Sequence, residues 1–197
     1  RGKKVILREQ REEDAPFFAY WFNQPRIMFQ CGFEKPTDEE EMKICINVDH
    51  KRKDSVWFTI TDLDGHILGE AGLLRMFPAW HQTDLTIIIP DPKMQHKGYG
   101  TEAVSLFLKR LAKVTGKRFF RARVAADNYT SQALMKKLGA SPNGVSQFLL
   151  RGEALEEFRR ENQEMIDDRF RKLADEFGVK PEEMLGKVLV YQLDVKE

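Results

Sequence analysis

The sequence predicts a mixed α/β fold in a single domain, residues 5–195, with a helical insertion at 151–186 between the last two strands. Three observations carry this. The chain has 197 residues, the size of one ordinary domain able to bury a core. Its hydrophobic period switches repeatedly between about two and about 3.6 residues, the periods of strand and helix. The switches fall at capping and turn residues rather than inside apolar runs.

The elements follow in order. Residues 5–8 form a short apolar strand. Asp14-Ala15-Pro16 opens a helix, with Asp14 as cap and Pro16 in the first turn. That helix runs through Phe17, Phe18, Tyr20, Trp21 and Phe22 and ends before Pro25. Thr37-Asp38-Glu39-Glu40 has capping-box spacing and starts a second helix through Met42, Cys45, Ile46 and Val48. Residues 55–61 alternate as a strand, and Asp64-Gly65 is a hairpin turn leading to a return strand at 66–75. A third strand spans 83–89 and stops at Pro90-Asp91-Pro92. Ala103, Val104, Phe107, Leu108 and Leu111 then mark a helix over 101–115, closed by Gly116. A strand at 119–125, a helix at 128–138 and strands at 145–150 and 187–195 complete the pattern. Residues 151–177 hold 15 charged residues in 27 and an apolar stripe of Leu155, Phe158, Met165, Ile166, Phe170, Leu173 and Phe177. This is a long amphipathic helix with room for one break, and its stripe either roofs the domain or meets a second copy.

Composition excludes several classes. With 42% hydrophobic and 32% charged residues, the chain carries too much apolar content for intrinsic disorder. No apolar run approaches the roughly 18 residues of a membrane span. Lys+Arg 32 against Asp+Glu 31 leaves +1, far from the basic excess of a direct nucleic-acid binder. Cys31 and Cys45 lack metal-site spacing and read as free thiols, so no metal is expected. No signal-peptide pattern follows Arg1, and the expected location is cytoplasmic.

The chemistry concentrates at Gln95-His96-Lys97-Gly98-Tyr99-Gly100-Thr101, between a strand and a long helix. Gly98 and Gly100 permit a sharp turn and close approach of backbone to a ligand, or serve the turn alone. The first N–H groups of the following helix have no intrahelical partner, and the dipole adds positive potential there. Such an arrangement cradles anions. Lys109, Arg110, Lys113, Lys117, Arg118, Arg121 and Arg123 add basic charge downstream. A Rossmann loop is excluded for want of a third glycine, and a Walker loop for want of Gly-Lys-Ser/Thr.

Gln95-x-x-Gly98-x-Gly100 between strand and helix resembles the coenzyme A pyrophosphate loop of the GCN5-related N-acetyltransferase (GNAT) family. Lys97-Gly98-Tyr99-Gly100-Thr101-Glu102-Ala103 is similar to the branch of ribosomal-protein N-terminal acetyltransferases (RimJ/RimL-like) and their relatives acting on polyamines and aminoglycosides. Asn128-Tyr129-Thr130-Ser131 with Leu138-Gly139, and Ile6-Leu7-Arg8 with Glu13-Asp14-Ala15, extend the resemblance. It implies a twisted, mostly antiparallel mixed sheet flanked by helices. It implies acetyl transfer from acetyl-CoA to a primary amine: a protein N-terminus, a polyamine or another small amine. The protein would be a monomer or homodimer, with no membrane partner.

By the same resemblance, Gln95, His96, Lys97, Gly98, Tyr99, Gly100 and Thr101 hold the pyrophosphate. Backbone groups of Ile87, Ile88 and Ile89 meet the pantetheine arm, and the Ile88 N–H polarises the thioester carbonyl. Asn128 touches the arm and Ser131 sits near the sulfur, although the pair is also spaced as a helix cap. Asp84 occupies the position of the family's candidate base, with Glu70 a competing carboxylate; His81 and His96 are weaker alternatives. The chain departs from the pattern at Met135, where many relatives carry a Tyr that protonates the departing thiolate. A non-catalytic CoA-binding module is the rival reading. The acceptor amine must be neutral to attack. At pH 7 about 14% of an α-amino group but only about 0.04% of a lysine side chain is neutral.

Overall fold

The computed structural model describes residues 1–31, 33–74, 83–147 and 150–195. Among them are seven strands, in the sheet order β1-β2-β3-β4-β5-β7-β6, and flanking helices. The strands are β1 Ile6–Glu9, β2 Ser55–Thr61, β3 Ile67–Leu74, β4 Thr83–Ile88, β5 Phe119–Ala125, β6 Ser141–Ser146 and β7 Val188–Asp194. The helices are α1 Ala15–Phe22, α2 Pro25–Cys31, α3 Glu39–Lys51, α4 Tyr99–Thr115, α5 Tyr129–Lys137, α6 Gly152–Glu161, α7 Asp168–Glu176 and α8 Pro181–Met184. The chain divides into two compact units, Arg1–Phe120 with Val195, and Arg121–Asp194.

In the first unit β1 to β4 pair antiparallel in sequence order. One face is covered by a cluster of Ala15, Phe18, Ala19, Phe22, Ile27, Met42 and Ile46, with Phe17, Trp21, Cys31 and Ile88 packed against it. The pairings Arg8↔Thr59, Thr59↔Glu70 and Glu70↔Ile88 set four residues in one row across the strands. Directly opposed residues share a sheet face. The row therefore runs beneath the helical cluster and brings polar groups into it. Asp14 answers Arg8 and Thr59: Arg8 donates two bonds to its carboxylate at 2.7 and 2.6 Å, and Thr59 Oγ1 donates at 2.7 Å.

Asp14 occupies the N-cap position of α1 as the sequence suggests, but its side chain makes no cap bond and goes instead to Arg8, Thr59 and the Arg11 N–H. The second helix is capped one residue later than expected, by Asp38, which accepts from the Glu41 N–H at 2.8 Å while Glu41 returns to the Asp38 N–H. Pro25 does not merely end α1. It opens α2 from the first position, where its missing N–H costs nothing. On α3, Met42 and Ile46 are buried but Cys45 and Val48 face solvent. The helical period turns those two away from the cluster.

In the second unit the expected long helix is two, α6 and α7, separated by a 3-10 turn at Gln163–Met165. Asp167 caps α7 by accepting from the Phe170 N–H at 2.7 Å, so the restart has its own signal. Leu155, Ile166, Phe170, Leu173 and Phe177 are buried, and Phe177 meets Tyr191 of β7 edge-to-face at 5.0 Å. Of the remaining stripe residues, Phe158 is half-buried and Met165 is exposed. β6 begins at Ser141 rather than at Val145, and residues 148 and 149 of the expected strand 145–150 lie outside the described residues. Its bulge between Pro142 and Val145 takes up Gly144, at φ 76°, and Pro142 is tolerated on an edge strand.

The Arg8–Asp14 pair yields a prediction. Asp14 is buried, and the Arg8 bonds hold its carboxyl below the ordinary range despite desolvation. Arg8→Met leaves that charge unpaired and should cost about 2–4 kcal/mol in denaturant unfolding at pH 7. Because the folded pKa is depressed, the stabilisation is present above the unfolded value and is lost as pH falls through the folded one. The gap between wild type and variant should therefore close on acidification below pH 4; a gap constant with pH would contradict the assignment.

Candidate active site

The loop at 95–98 is built by local bonds. Asp91 accepts from the Lys93 N–H at 2.8 Å and caps a short 3-10 turn, Pro92–Met94. The Gln95 side-chain amide then reaches back to the Ile89 carbonyl at 2.8 Å, tying the loop to the end of β4. His96 has φ 60° and Gly98 φ 86°, the described positive-φ residues of this turn. Alternation of positive and negative φ aims successive N–H groups into one concavity, the geometry of an anion nest. Gly98 is the N-cap of α4 and supplies no side-chain bond to the helix amides. A Cβ placed on Gly98 would meet only Lys4 Nζ, at 3.4 Å, but its φ would strain any L residue. The 95–101 segment therefore offers backbone donors and the positive end of a 17-residue helix, a combination that suits an anion such as a pyrophosphate.

β4 delivers the Ile87, Ile88 and Ile89 segment to this loop. Its neighbour supplies a residue the sequence did not single out as functional. Gly69 sits at an irregularity of β3 with φ 155°, and a Cβ there would lie 2.0 Å from the Ile88 carbonyl oxygen and 3.1 Å from Ile89 Cα. No other residue type lets the two strands come this close. The signal in the sequence, an isolated glycine in a strand, marks a bulge or close approach but not which.

The two carboxylates on these strands are separated. Glu70 opposes Ile88, while Asp84 opposes Leu74 at the other end of β4. Four residues of strand put them about 14 Å apart along the sheet. Both are buried. Glu70 accepts a hydrogen bond from the Gln10 side-chain amide at 2.8 Å. Burial pushes its carboxyl up to about 8, and Asp49 adds to the rise against the opposing Gln10 bond. Cys31 nearby is pushed up to about 11 by burial and by Glu70.

In the second unit Asn128 caps α5, its side chain accepting from the Ser131 N–H at 3.1 Å. The capping role is thus realised. Met135, at the position where relatives carry Tyr, is 1% exposed and part of the core. His96 belongs to the loop backbone; His81 lies outside the described residues. The described carboxylate and histidine group with metal-like spacing, Asp62, Asp64 and His66, is an exposed turn in which Asp62 accepts from the Asp64 and His66 N–H groups.

A family model, the acetyltransferase (GNAT) domain, matches residues 4–141. The chain therefore belongs to the GNAT acetyltransferase family. No curated protein matches it in sequence. Among solved structures, spermidine N-acetyltransferase from Vibrio cholerae, bound to CoA and spermine, superposes with TM-score 0.70 at 17% identity, covering 98% of this chain and 96% of that one. RimL, a ribosomal-protein alpha-N-acetyltransferase in complex with coenzyme A, gives 0.71 at 14% identity over 98% and 96%. A domain from Methanocaldococcus jannaschii gives 0.64 at 18% over 98% and 99%. At these identities the likeness is one of fold. No helix among the described residues is long and apolar enough to cross a membrane.

Gly69→Val should push the end of β4 away from β3 and misplace the Ile87 to Ile89 segment. We expect a fall in melting temperature and at least a tenfold weaker acetyl-CoA affinity, read by thermal denaturation and calorimetry. Retention of wild-type affinity would show that the close approach serves packing alone.

Proposed function

We propose that this protein transfers an acetyl group from acetyl-CoA to a primary amine by direct attack. The observation that carries the reading is the 95–101 loop: a nest of positive-φ residues opening an uncapped helix, in a chain of the GNAT family. Acetyl-CoA supplies the activated acetyl thioester. The loop amides bind its pyrophosphate, and a backbone N–H of the Ile87 to Ile89 segment donates to the thioester carbonyl as charge develops there. Asn128 and Ser131 keep the cofactor-side roles that the family resemblance implies, with Ser131 a candidate proton donor in place of the missing Tyr.

Glu70 is the better candidate base of the two carboxylates. It stands opposite Ile88, and a pKa of about 8 suits removal of a proton near neutrality. Because an α-amino group has far more of its neutral form at pH 7 than an alkylamine, the acceptor we favour is a protein or peptide N-terminus, ahead of polyamines, which are acceptors of one structural neighbour. A specific observation keeps the rival of a non-catalytic CoA-binding module in play: the core Met135 cannot protonate a leaving thiolate. A thiolate of pKa about 8.5 leaves without such help. Thiol release from acetyl-CoA over a panel of N-terminal peptides, polyamines and aminoglycosides separates the two. Turnover with any amine supports the enzyme, and binding of CoA without turnover on the panel supports the module.

Two variants test the assignments. Gly98→Val should abolish measurable acetyl-CoA binding, because φ 86° excludes it without rebuilding the nest. Glu70→Gln should lower kcat/KM roughly 100-fold at pH 8.5. The loss should shrink about tenfold per pH unit below 7, where the wild-type carboxyl is itself protonated. The same raised pKa makes folded wild type lose stability, on the order of 1 kcal/mol per unit, as pH rises from 4.5 towards 8. Glu70→Gln should flatten that slope. A pH–rate profile unchanged in Glu70→Gln moves the base to Asp84, for which Asp84→Asn is the matching variant.

A further inference from the structure

Resting on the pyrophosphate reading of the loop, we infer that Lys4 is a positioning residue of that loop, setting the direction in which the Gly98 N–H is presented. Lys4 Nζ donates to the Lys97 carbonyl at 2.9 Å. The peptide between Lys97 and Gly98 is trans, as are all peptide bonds of the described chain. In a trans peptide the C=O and N–H point in opposite directions. Holding the carbonyl on the Lys4 side therefore turns the Gly98 N–H to the other side, as a donor for an anion. The ammonium also brings positive charge close to the glycine, 3.4 Å from where its Cβ would be.

The grip is itself anchored. The Lys3 and Lys4 N–H groups donate to the Glu102 carboxylate at 2.5 and 2.8 Å, in the first turn of α4. Gly2 closes a turn by donating to the Val5 carbonyl at 2.7 Å, and a Cβ on Gly2 would strike Glu102 Oε1 and Leu106 Cδ1, both at 2.7 Å. The 2–4 segment is thus fitted to the start of the same helix whose amides form the site. Glu102 also places a negative charge in that first turn, where it favours the helix but opposes a bound anion. Its two backbone donors and the Lys4 ammonium offset that charge.

The test compares ligands with and without the pyrophosphate. CoA affinity is measured by calorimetry, and pantetheine, which lacks the pyrophosphate, by NMR titration. Lys4→Met should weaken CoA about fivefold, in keeping with one exposed charge contact of at most about 1 kcal/mol. Pantetheine affinity should not change, and Lys4→Arg should restore most of the CoA affinity because it can still donate to the Lys97 carbonyl. Wild-type CoA affinity in Lys4→Met, alongside lost binding in Gly98→Val, would overturn the role of Lys4 and leave the loop reading intact. Equal loss for CoA and pantetheine would also overturn it, as a general structural effect. Failure of the wild-type protein to bind CoA at all would overturn the loop reading and this inference together.

Discussion

The proposed pyrophosphate site requires the first amides of α4 to stay available. A helix N-terminus normally satisfies its orphan N–H groups with a side-chain cap, as Asp38 does for α3 and Asp167 for α7. At α4 the cap is Gly98, which has no side chain to offer. Much of the first unit can be understood as support for that choice. Gln95 pins the loop to Ile89, the 3-10 turn at Pro92–Met94 sets its entry, and Lys4 and Glu102 brace it from the N-terminal side. Gly69 lets β3 close up on β4 where the strand hands over to the loop.

The second constraint is the polar row beneath the helical cluster. Arg8, Thr59 and Glu70 stand side by side across three strands, yet the outcomes differ. Asp14 collects an Arg8 fork, the Thr59 hydroxyl and the Arg11 N–H, and stays ionised. Glu70 collects the Gln10 amide, and burial dominates, pushing it up to about 8. Two buried carboxylates within one layer are thus driven in opposite directions by their partners: Asp14 is held ionised, and Glu70 is pushed towards its neutral form.

How much of this was legible in the sequence depends on the range of the interaction that decides it. The loop, α4, the hairpin at Asp64-Gly65 and most strands rest on local signals, and they fall within a residue or two of expectation. Asp14 stands at the cap position its sequence context suggests, but its side chain goes to Arg8 and to Thr59, the latter 45 residues away, which local sequence does not mark. The start of β6 was misplaced because pairing with β7, not apolar character, fixes it. Glu70 was visible only as a carboxylate on a strand. Its burial and its place opposite Ile88 come from register, which no spacing encodes. Gly69 and Lys4 act through close approach across strands or between distant segments. A lone glycine or lysine carries no mark of that.

Backbone amides of the 95–101 loop are proposed to bind the CoA pyrophosphate. Amide chemical shifts of 15N-labelled protein during titration with CoA test this most directly. The largest shifts should fall on His96 to Thr101, ADP should reproduce them and pantetheine should not. Shifts confined to other segments, with the Gly98 and Gly100 amides unmoved at saturation, would contradict it.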